Sequence, residues 1–202
     1  MRFTKNLCFQ ISLAVMLAAG IFLLGCNTGV EVSPAPGVIR VMLQSDPADT
    51  SIIIIKDTIT VSARDWFGVT ITQGKIYHGE NFAILFKDTQ SYRVEDVVYN
   101  ILERENGQYK KFTIYESYAP PNSYDKLQFG VTASLLRMGF FNIPVQLRPG
   151  DALLVDLNAN FDIKENQTTE IDVQISPFKS VVRYKDSYYF TRQMQIIAVR
   201  YY

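Results

Sequence analysis

The sequence predicts an all-β protein, a single antiparallel β-sandwich that is transthyretin-like or immunoglobulin-like and has few or no helices. From Val38 onward, apolar and polar residues alternate with the two-residue period of half-buried strands. The alternating runs are short, and turn-forming residues separate them at near-regular spacing. Only one stretch, residues 94–105, also fits a helical period. This combination is typical of a sandwich.

Length and composition exclude several classes of protein. The chain has 202 residues, with 20 Lys and Arg against 20 Asp and Glu and a formal net charge of zero. This balance argues against a nucleic-acid-binding protein, which needs a basic face to neutralise phosphates. With 48% hydrophobic and 20% charged residues, the chain has the apolar content for a folded core and is not of the disordered class.

The N-terminus has the pattern of a lipoprotein signal peptide. Arg2 and Lys5 make it positive, and Leu7–Leu24 is almost wholly apolar. The run closes on Leu23-Leu24-Gly25-Cys26, which looks like a bacterial lipobox. We therefore expect residues 1–25 to be a signal peptide and Cys26 to carry a lipid with acyl chains such as palmitate. One alternative is a transmembrane anchor, since a run of this length is near the lower limit for spanning a bilayer. The other is ordinary signal-peptide cleavage that leaves a free thiol.

Lipidation of Cys26 would anchor the protein in the membrane of the cell envelope. The outer membrane is favoured, and whether the protein faces the periplasm or the cell surface stays open. Residues 26–37 are polar, contain Pro and Gly, and are expected to be a flexible tether. Because Cys8 would leave with the signal peptide, the domain at 38–202 would have no thiol. It would therefore have no disulfide, no thiolate nucleophile and no Cys-ligated zinc.

The first part of this domain contains short strands and turns. Ile39, Val41 and Leu43 form the apolar face of the first strand, and Ser45–Asp49 has turn chemistry. Ile52–Ile55 is wholly apolar, which is typical of a strand buried on both faces. Further strands are expected around Ile59, Val61 and Ala63, at Val69 and Ile71, and at Phe82–Phe86, with Gly68, Gly74 and Gly79 as boundaries.

The ambiguous segment Val94–Glu105 allows two interpretations. Its apolar residues fit a helical stripe that Asn106-Gly107 would end as a C-cap. They also alternate as in a strand, and Asn-Gly is the favoured two-residue hairpin turn. We favour the hairpin, because the residues on both sides of the turn are rich in β-branched and aromatic types.

The remaining strands follow at short intervals. Ala119–Ser123 is expected to be a loop and Pro149–Asp151 a turn. Strands are expected at Tyr124–Ala133, with Leu127, Phe129 and Val131 inward, at Ile143–Leu147, at Leu153–Ile163, at Ile171–Ile175, at Val181-Val182 and at Tyr188–Tyr201.

With these strands in place, the order of segments resembles a family of bacterial lipoprotein domains of unknown function. The segments that carry the resemblance are Gly37–Leu43 with its following Asp-Pro turn, Tyr124–Phe129, Ile143–Leu147, Leu153–Leu157 and Tyr188–Met194. The resemblance implies a transthyretin-like or carbohydrate-binding-like sandwich in the envelope. It implies no established activity and no catalytic residues.

The most prominent candidate site is a polar stripe formed by Asp156, Asn158, Asn160 and Asp162. Its spacing copies the first four oxygen ligands of a calcium loop, but Phe161 stands where that loop needs glycine and Gln167 where it needs glutamate. A strand with a solvated face gives the same spacing, and we favour that interpretation. A looser calcium or saccharide site on this face remains the alternative.

Other candidates have weaker patterns. His78 is the single histidine, and it precedes Gly79 in an expected exposed turn without a nucleophile motif. A carboxylate pair among Asp46, Asp49 and Asp57 is conceivable, although turn formation explains these acids. Tyrosines concentrate near the C-terminus, where they could stack on sugar rings or simply favour a sheet; they are Tyr184, Tyr188, Tyr189, Tyr201 and Tyr202.

These observations favour a non-enzymatic binding or structural module that presents a surface to a glycan, peptide or protein of the envelope. We expect no catalytic residues, no resident metal, no cofactor and no nucleic acid, and a membrane contact through the lipid on Cys26. The alternative is an envelope hydrolase that uses acidic residues, and two carboxylates facing each other in a cleft would favour it.

Overall fold

The computed structural model describes residues 33–91 and 96–202, and about two thirds of them lie in strands. No helix occurs among these residues, so the all-β prediction is confirmed. In chain order the strands are β1 (Gly37–Ser45), β2 (Ser51–Ile54), β3 (Asp57–Thr60), β4 (Trp66–His78), β5 (Asn81–Leu85), β6 (Val97–Asn100), β7 (Arg104–Glu105), β8 (Gln108–Tyr109), β9 (Phe112–Ala119), β10 (Asn122–Met138), β11 (Phe141–Gln146), β12 (Leu154–Ile163), β13 (Thr168–Ile175), β14 (Val181–Tyr184), β15 (Ser187–Phe190) and β16 (Met194–Tyr201).

The strands form two large sheets and two small hairpins. The four-stranded sheet has the order β16-β13-β1-β9. The eight-stranded sheet has the order β14-β15-β11-β10-β4-β5, with β12 also paired to β10 and β6 also paired to β4. The pairs β2-β3 and β7-β8 make the small hairpins. Residues 34–202 form one compact unit, which contains all of these strands.

The core lies between the inner faces of the two large sheets. Because successive side chains of a strand point to opposite faces, every second residue enters the core. The first strand does so as predicted, and the other central strands follow the same rule between their bulges. The fully buried residues that carry this pattern are Ile39, Val41, Leu43, Ile171, Val173 and Ile175 in the small sheet and Phe67, Val69, Ile71, Leu127, Phe129 and Val131 in the large sheet.

The sheets are mixed rather than purely antiparallel, which differs from the expected arrangement at two places. β1 pairs with β13 in parallel over eight residue pairs, from Val38↔Thr168 to Ser45↔Ile175. β11 pairs with β15 in parallel at Val145↔Tyr188 and Gln146↔Tyr189. The alternation of apolar residues is the same for both directions of pairing, so it could not reveal this feature.

The prediction that Ile52–Ile55 is buried on both faces is wrong. Ile52 and Ile54 are buried, but Ile53 is 67% exposed and Ile55 is 64% exposed. The reason is that β2 pairs only with β3. This hairpin covers the core with one face and leaves its other face in solvent.

Two of the three glycines expected to bound strands lie inside one. Gly68 and Gly74 are both within β4, whereas Gly79 does occupy the turn after it, with φ of +58°. At Gly74 a Cβ atom would lie 2.7 Å from the ring of Tyr115, which comes from β9 in the other sheet. The missing side chain of Gly74 therefore leaves room for an aromatic ring between the sheets, and the glycine does not end the strand.

In the ambiguous segment, residues 96–105 contain no helix, while Val94 lies outside the described residues. The tight turn at Asn106-Gly107 is confirmed, since both residues have positive φ and join β7 to β8. The longer flanks do not pair with each other, because β6 joins β4 and β9 joins β1. Competition from these longer strands limits the hairpin to two residue pairs.

Several predicted boundaries shift. Asn122 and Ser123, expected in a loop, begin β10, which runs on to Met138. The expected strand Tyr188–Tyr201 is split into β15 and β16, and Arg192 between them has φ of +54°. These shifts come from long-range pairing partners that extend or interrupt the local pattern.

No helix in the described part of the chain is long and apolar enough to cross a membrane. The predicted signal peptide at 1–25 and Cys26 lie outside the described residues.

Candidate ligand pocket at one end of the sandwich

The predicted polar stripe lies on the solvent-facing side of β12. Asp156, Asn158, Asn160 and Asp162 are all exposed, as expected. On the opposite side Leu157 and Phe161 are buried and Val155 is half-buried. The inward placement of Leu153 is wrong: it is 66% exposed, because it precedes β12 and its pairing with β10.

The stripe does not converge on one point. Alternate residues of a strand are ~6.6 Å apart, which is too far for four of them to bind one calcium ion. Asp156 accepts a hydrogen bond from Gln128 Nε2 at 2.6 Å and lies 3.6 Å from Lys126 Nζ. Among the described residues, no three His, Cys, Asp or Glu side chains are grouped so that they could hold a metal ion.

A β-bulge between β10 and β12, where Asp125 stands against both Ala159 and Asn160, changes the direction of one acidic side chain beside the stripe. The register between β10 and β12 shifts between Tyr124↔Phe161 and Lys126↔Asn158. Two consecutive residues, Asp125 and Lys126, therefore face outward between the buried Tyr124 and Leu127. Lys126 packs with its Nζ 4.1 Å from the centroid of the Tyr77 ring, and Asp125 points toward the end of the sandwich.

Asp125 and part of the stripe line an open pocket of about 300 Å³, which we call the end pocket. Its walls come from four strands, β4, β10, β12 and β16. The lining residues are His78, Ser123, Tyr124, Asp125, Asn160, Phe161, Asp162 and Tyr201. The fold thus brings together three candidates that the sequence presented separately: the single histidine, half of the polar stripe and one C-terminal tyrosine.

Hydrogen bonds fix the walls of the end pocket. Ser123 Oγ donates to Asp162 Oδ1 at 2.6 Å, and the Asp162 backbone N–H donates to Tyr201 Oη at 3.3 Å. The Gly79 backbone N–H donates to Asp125 Oδ2 at 2.9 Å. Each strand that lines the pocket is tied to a neighbour in this way, so the polar groups are held in place before any ligand arrives.

His78 ends β4 and is exposed beside Gly79, as its sequence context predicts. Its Nδ1 lies 2.7 Å from the backbone oxygen of Ser123. A carbonyl oxygen only accepts, so Nδ1 carries the proton and donates, and Nε2 remains for other partners. The Ser123 hydroxyl instead faces the carboxylate of Asp162. This is not the arrangement of an activated serine, in which the hydroxyl is bonded to the histidine ring.

The floor of the pocket is aromatic and stays uncharged. Tyr124 stacks on Phe161 with ring centroids 5.7 Å apart and an interplanar angle of 16°. Its hydroxyl donates to the backbone oxygen of Pro120 at 2.8 Å. Burial raises the pKa of this hydroxyl above its ordinary value, so Tyr124 contributes an apolar surface and no acid.

The other acidic candidates do not belong to this pocket. Asp49 is buried, and its Oδ2 accepts hydrogen bonds from the backbone N–H groups of Phe178 and Lys179 at 2.8 and 3.0 Å. Asp46 accepts from the Ala48 N–H at 3.0 Å and lies 3.6 Å from Lys179 Nζ. These two residues tie the turn after β1 to the loop after β13. Asp57 begins β3 and is exposed.

The C-terminal tyrosines form two separate groups. Tyr201 ends β16 and lines the end pocket, and Tyr202 follows it; the two side chains are 49% and 66% exposed. Tyr184, Tyr188 and Tyr189 lie on the hairpin formed by β14 and β15. Sequence reasoning missed Ser123 and Asp125, because the first was assigned to a loop and the second faces the pocket only through the bulge.

The outer face of the small sheet holds a closed ion-pair network. Arg40 lies 2.6 Å from Glu116, and Asp172 lies 2.5 Å from Lys111 and 2.6 Å from Arg200. Glu170 bridges the two groups, with contacts to Arg40, Lys111 and Arg200. Three acids balance three bases here, so the network ties four strands together and leaves no net charge for a ligand.

No family model matches the chain. No curated protein and no solved structure matches it either.

Proposed function

We propose that the protein is a non-enzymatic binding module, anchored in the bacterial envelope through Cys26, whose end pocket binds a neutral polyhydroxylated ligand, such as a glycan. The observation that carries this proposal is the convergence of carboxylate, amide, imidazole and phenol groups from four strands in one open pocket. Sugar hydroxyls donate well to carboxylates such as Asp125 and Asp162. The same two carboxylates disfavour an anionic ligand.

The position of the pocket fits a ligand close to the membrane. Gly37, where β1 begins, pairs with Ala119, and β10 starts only a few residues later at Asn122. The end pocket and the start of β1 therefore share one end of the sandwich. The chain advances by eleven residues from Cys26 to Gly37, so this segment can span at most ~40 Å. A lipid on Cys26 would hold the pocket within that reach of the envelope membrane, in our proposal the outer membrane.

Cys26→Ser should shift the protein from the membrane fraction to a soluble form or leave it with its signal peptide uncleaved, because the thioether-linked lipid needs the sulfur atom. The measurement is membrane fractionation of cells that express either form, with intact mass of the purified protein. Cys8→Ser, in the expected signal peptide, is the matched control and should leave the distribution unchanged. An unaltered distribution and mass for Cys26→Ser would contradict the lipid anchor.

Asp162→Asn should weaken binding of a neutral glycan by about tenfold or more, since it replaces a charged acceptor in the pocket. A glycan array of neutral and acidic oligosaccharides identifies the ligand, and titration calorimetry gives the affinity. Asp156→Asn is the matched control, because Asp156 is on the same stripe but outside the pocket. Equal losses in both variants, or no binding of neutral glycans by the wild type, would contradict the proposal.

A hydrolase is the second candidate, favoured by the presence of Asp125 and Asp162 in one pocket. A glycosidase of this kind needs one carboxyl group that stays protonated. Both carboxylates here are exposed and already engaged as acceptors, Asp125 by the Gly79 backbone N–H and Asp162 by the Ser123 hydroxyl. Incubating each glycan that binds with the protein and analysing the products by mass spectrometry tests this candidate. Cleavage that Asp125→Asn abolishes would replace the binding proposal with hydrolysis.

A further inference from the structure

A second pocket lies beside the hairpin of β14 and β15, far along the large sheet from the end pocket. The hairpin has four residue pairs, from Val181↔Phe190 to Tyr184↔Ser187. It joins the sheet only through the two parallel pairs between β15 and β11. Val181 and Phe190, at the base of the hairpin, are buried, whereas Tyr184 at its tip is 61% exposed. β14 is the last strand of the sheet, so this hairpin forms its free edge.

This hairpin pocket has a volume of about 420 Å³ and combines aromatic and cationic walls. It is lined by Arg148, Pro149, Val182, Arg183, Tyr184 and Tyr189. The two tyrosines, the proline and the valine supply apolar surface. Lys185 adds a third cation, with its Nζ 5.5 Å from the centroid of the Tyr184 ring.

The cations around this pocket lack carboxylate partners within the described part of the chain. Seven other basic side chains there do form ion pairs, namely Arg40, Lys110, Lys111, Lys126, Lys179, Arg192 and Arg200. Arg148, Arg183 and Lys185 form none with the described residues. The hairpin's own carboxylate, Asp186, is not part of the lining of the hairpin pocket; it lines the neighbouring pocket of about 450 Å³, which Arg183 also lines. The lining of the hairpin pocket therefore contains two arginines and no carboxylate.

We propose that the hairpin pocket is a second ligand site, which binds an acidic saccharide. The flat rings of Tyr184 and Tyr189 provide faces on which the C–H surface of a sugar ring can pack. A guanidinium group presents parallel N–H donors that match a carboxylate in a bidentate contact. The end pocket, with its two carboxylates, has the opposite preference, so the two sites would distinguish neutral from acidic sugars.

The test uses the full chain in detergent micelles and trigalacturonate as the probe, with affinity measured by titration calorimetry. Wild-type protein should bind the probe, and binding should weaken as salt screens the charges. Arg148→Gln and Arg183→Gln should each reduce the affinity about tenfold or more, as expected when a charge-assisted hydrogen bond is lost. Tyr184→Ala should also reduce it, because the ring face is removed.

Arg64→Gln is the matched control, since Arg64 is exposed but lies outside both pockets. Three results would overturn the assignment: no binding of trigalacturonate by the wild type, an equal loss in Arg64→Gln, or a loss caused by Asp162→Asn, which would place the probe in the end pocket. A hexaglutamate peptide that binds as tightly as trigalacturonate would overturn it in favour of an acidic protein segment. None of these results depends on whether the end pocket binds a neutral glycan.

Discussion

Leu157→Ala should lower the free energy of unfolding by about 2–5 kcal/mol, the range for a leucine truncated in a core. Leu157 is 8% exposed and lies on the inward side of β12, opposite Leu127 of β10. Its removal loses buried apolar surface and leaves a cavity between the strands. Urea unfolding of the chain from residue 27, which retains the whole compact unit, measures the effect.

Asp156→Ala is the matched control for Leu157→Ala, because the two residues are neighbours on opposite faces of one strand. Its effect should be about 0.5 kcal/mol or less, as for most exposed substitutions. A small effect of Leu157→Ala would contradict the register of β12. Thermal melting with and without calcium adds a second check. A calcium-dependent rise in wild-type Tm that Asp156→Ala abolishes would show that the stripe binds the ion.

Gly74→Val should destabilise the protein by about 1–3 kcal/mol, the usual cost of forcing extra atoms into a packed core. The new Cβ would lie 2.7–2.9 Å from three carbon atoms of the Tyr115 ring. That ring cannot withdraw easily, because it is fully buried and its hydroxyl donates to the backbone oxygen of Thr72 at 2.5 Å. Thermal and urea unfolding measure the loss.

A double-mutant cycle identifies the cause of the Gly74→Val effect. Tyr115→Leu removes the ring that the valine would strike, so the double variant should be less destabilised than the sum of the two single variants. Lys75→Val, at the next position of β4, is the control and should show no such coupling, because Lys75 points away from the core. Strict additivity for Gly74→Val and Tyr115→Leu would contradict the contact between the sheets.

The end pocket shows how far sequence reasoning reaches for the candidate site. The exposure of Asn160 and Asp162 followed from the alternation of β12, because a pleated strand sends every second residue to the same face. The grouping of His78 with Asp162 and Tyr201 did not follow, since these residues are far apart in the chain. They meet only where β4, β12 and β16 end and β10 begins. Asp125 was unpredictable for another reason: at the bulge between β10 and β12 two consecutive residues of β10 face outward, which reverses the direction that simple alternation gives.

The sequence by itself determined which face of most strands is buried, as at Ile39, Val41 and Leu43, and where tight turns form, as at Asn106-Gly107. These are local properties, because the pleat sets the period of burial and only a few residue types adopt positive φ easily. Only the tertiary structure decided that β1 runs parallel to β13, that one face of β2 stays in solvent, and that Gly74 sits under a ring from the opposite sheet. Each of these depends on which distant segment lies alongside, and a strand with one apolar face can pair with many partners in either direction. The choice is made by the combined packing of both sheets, which no single segment contains.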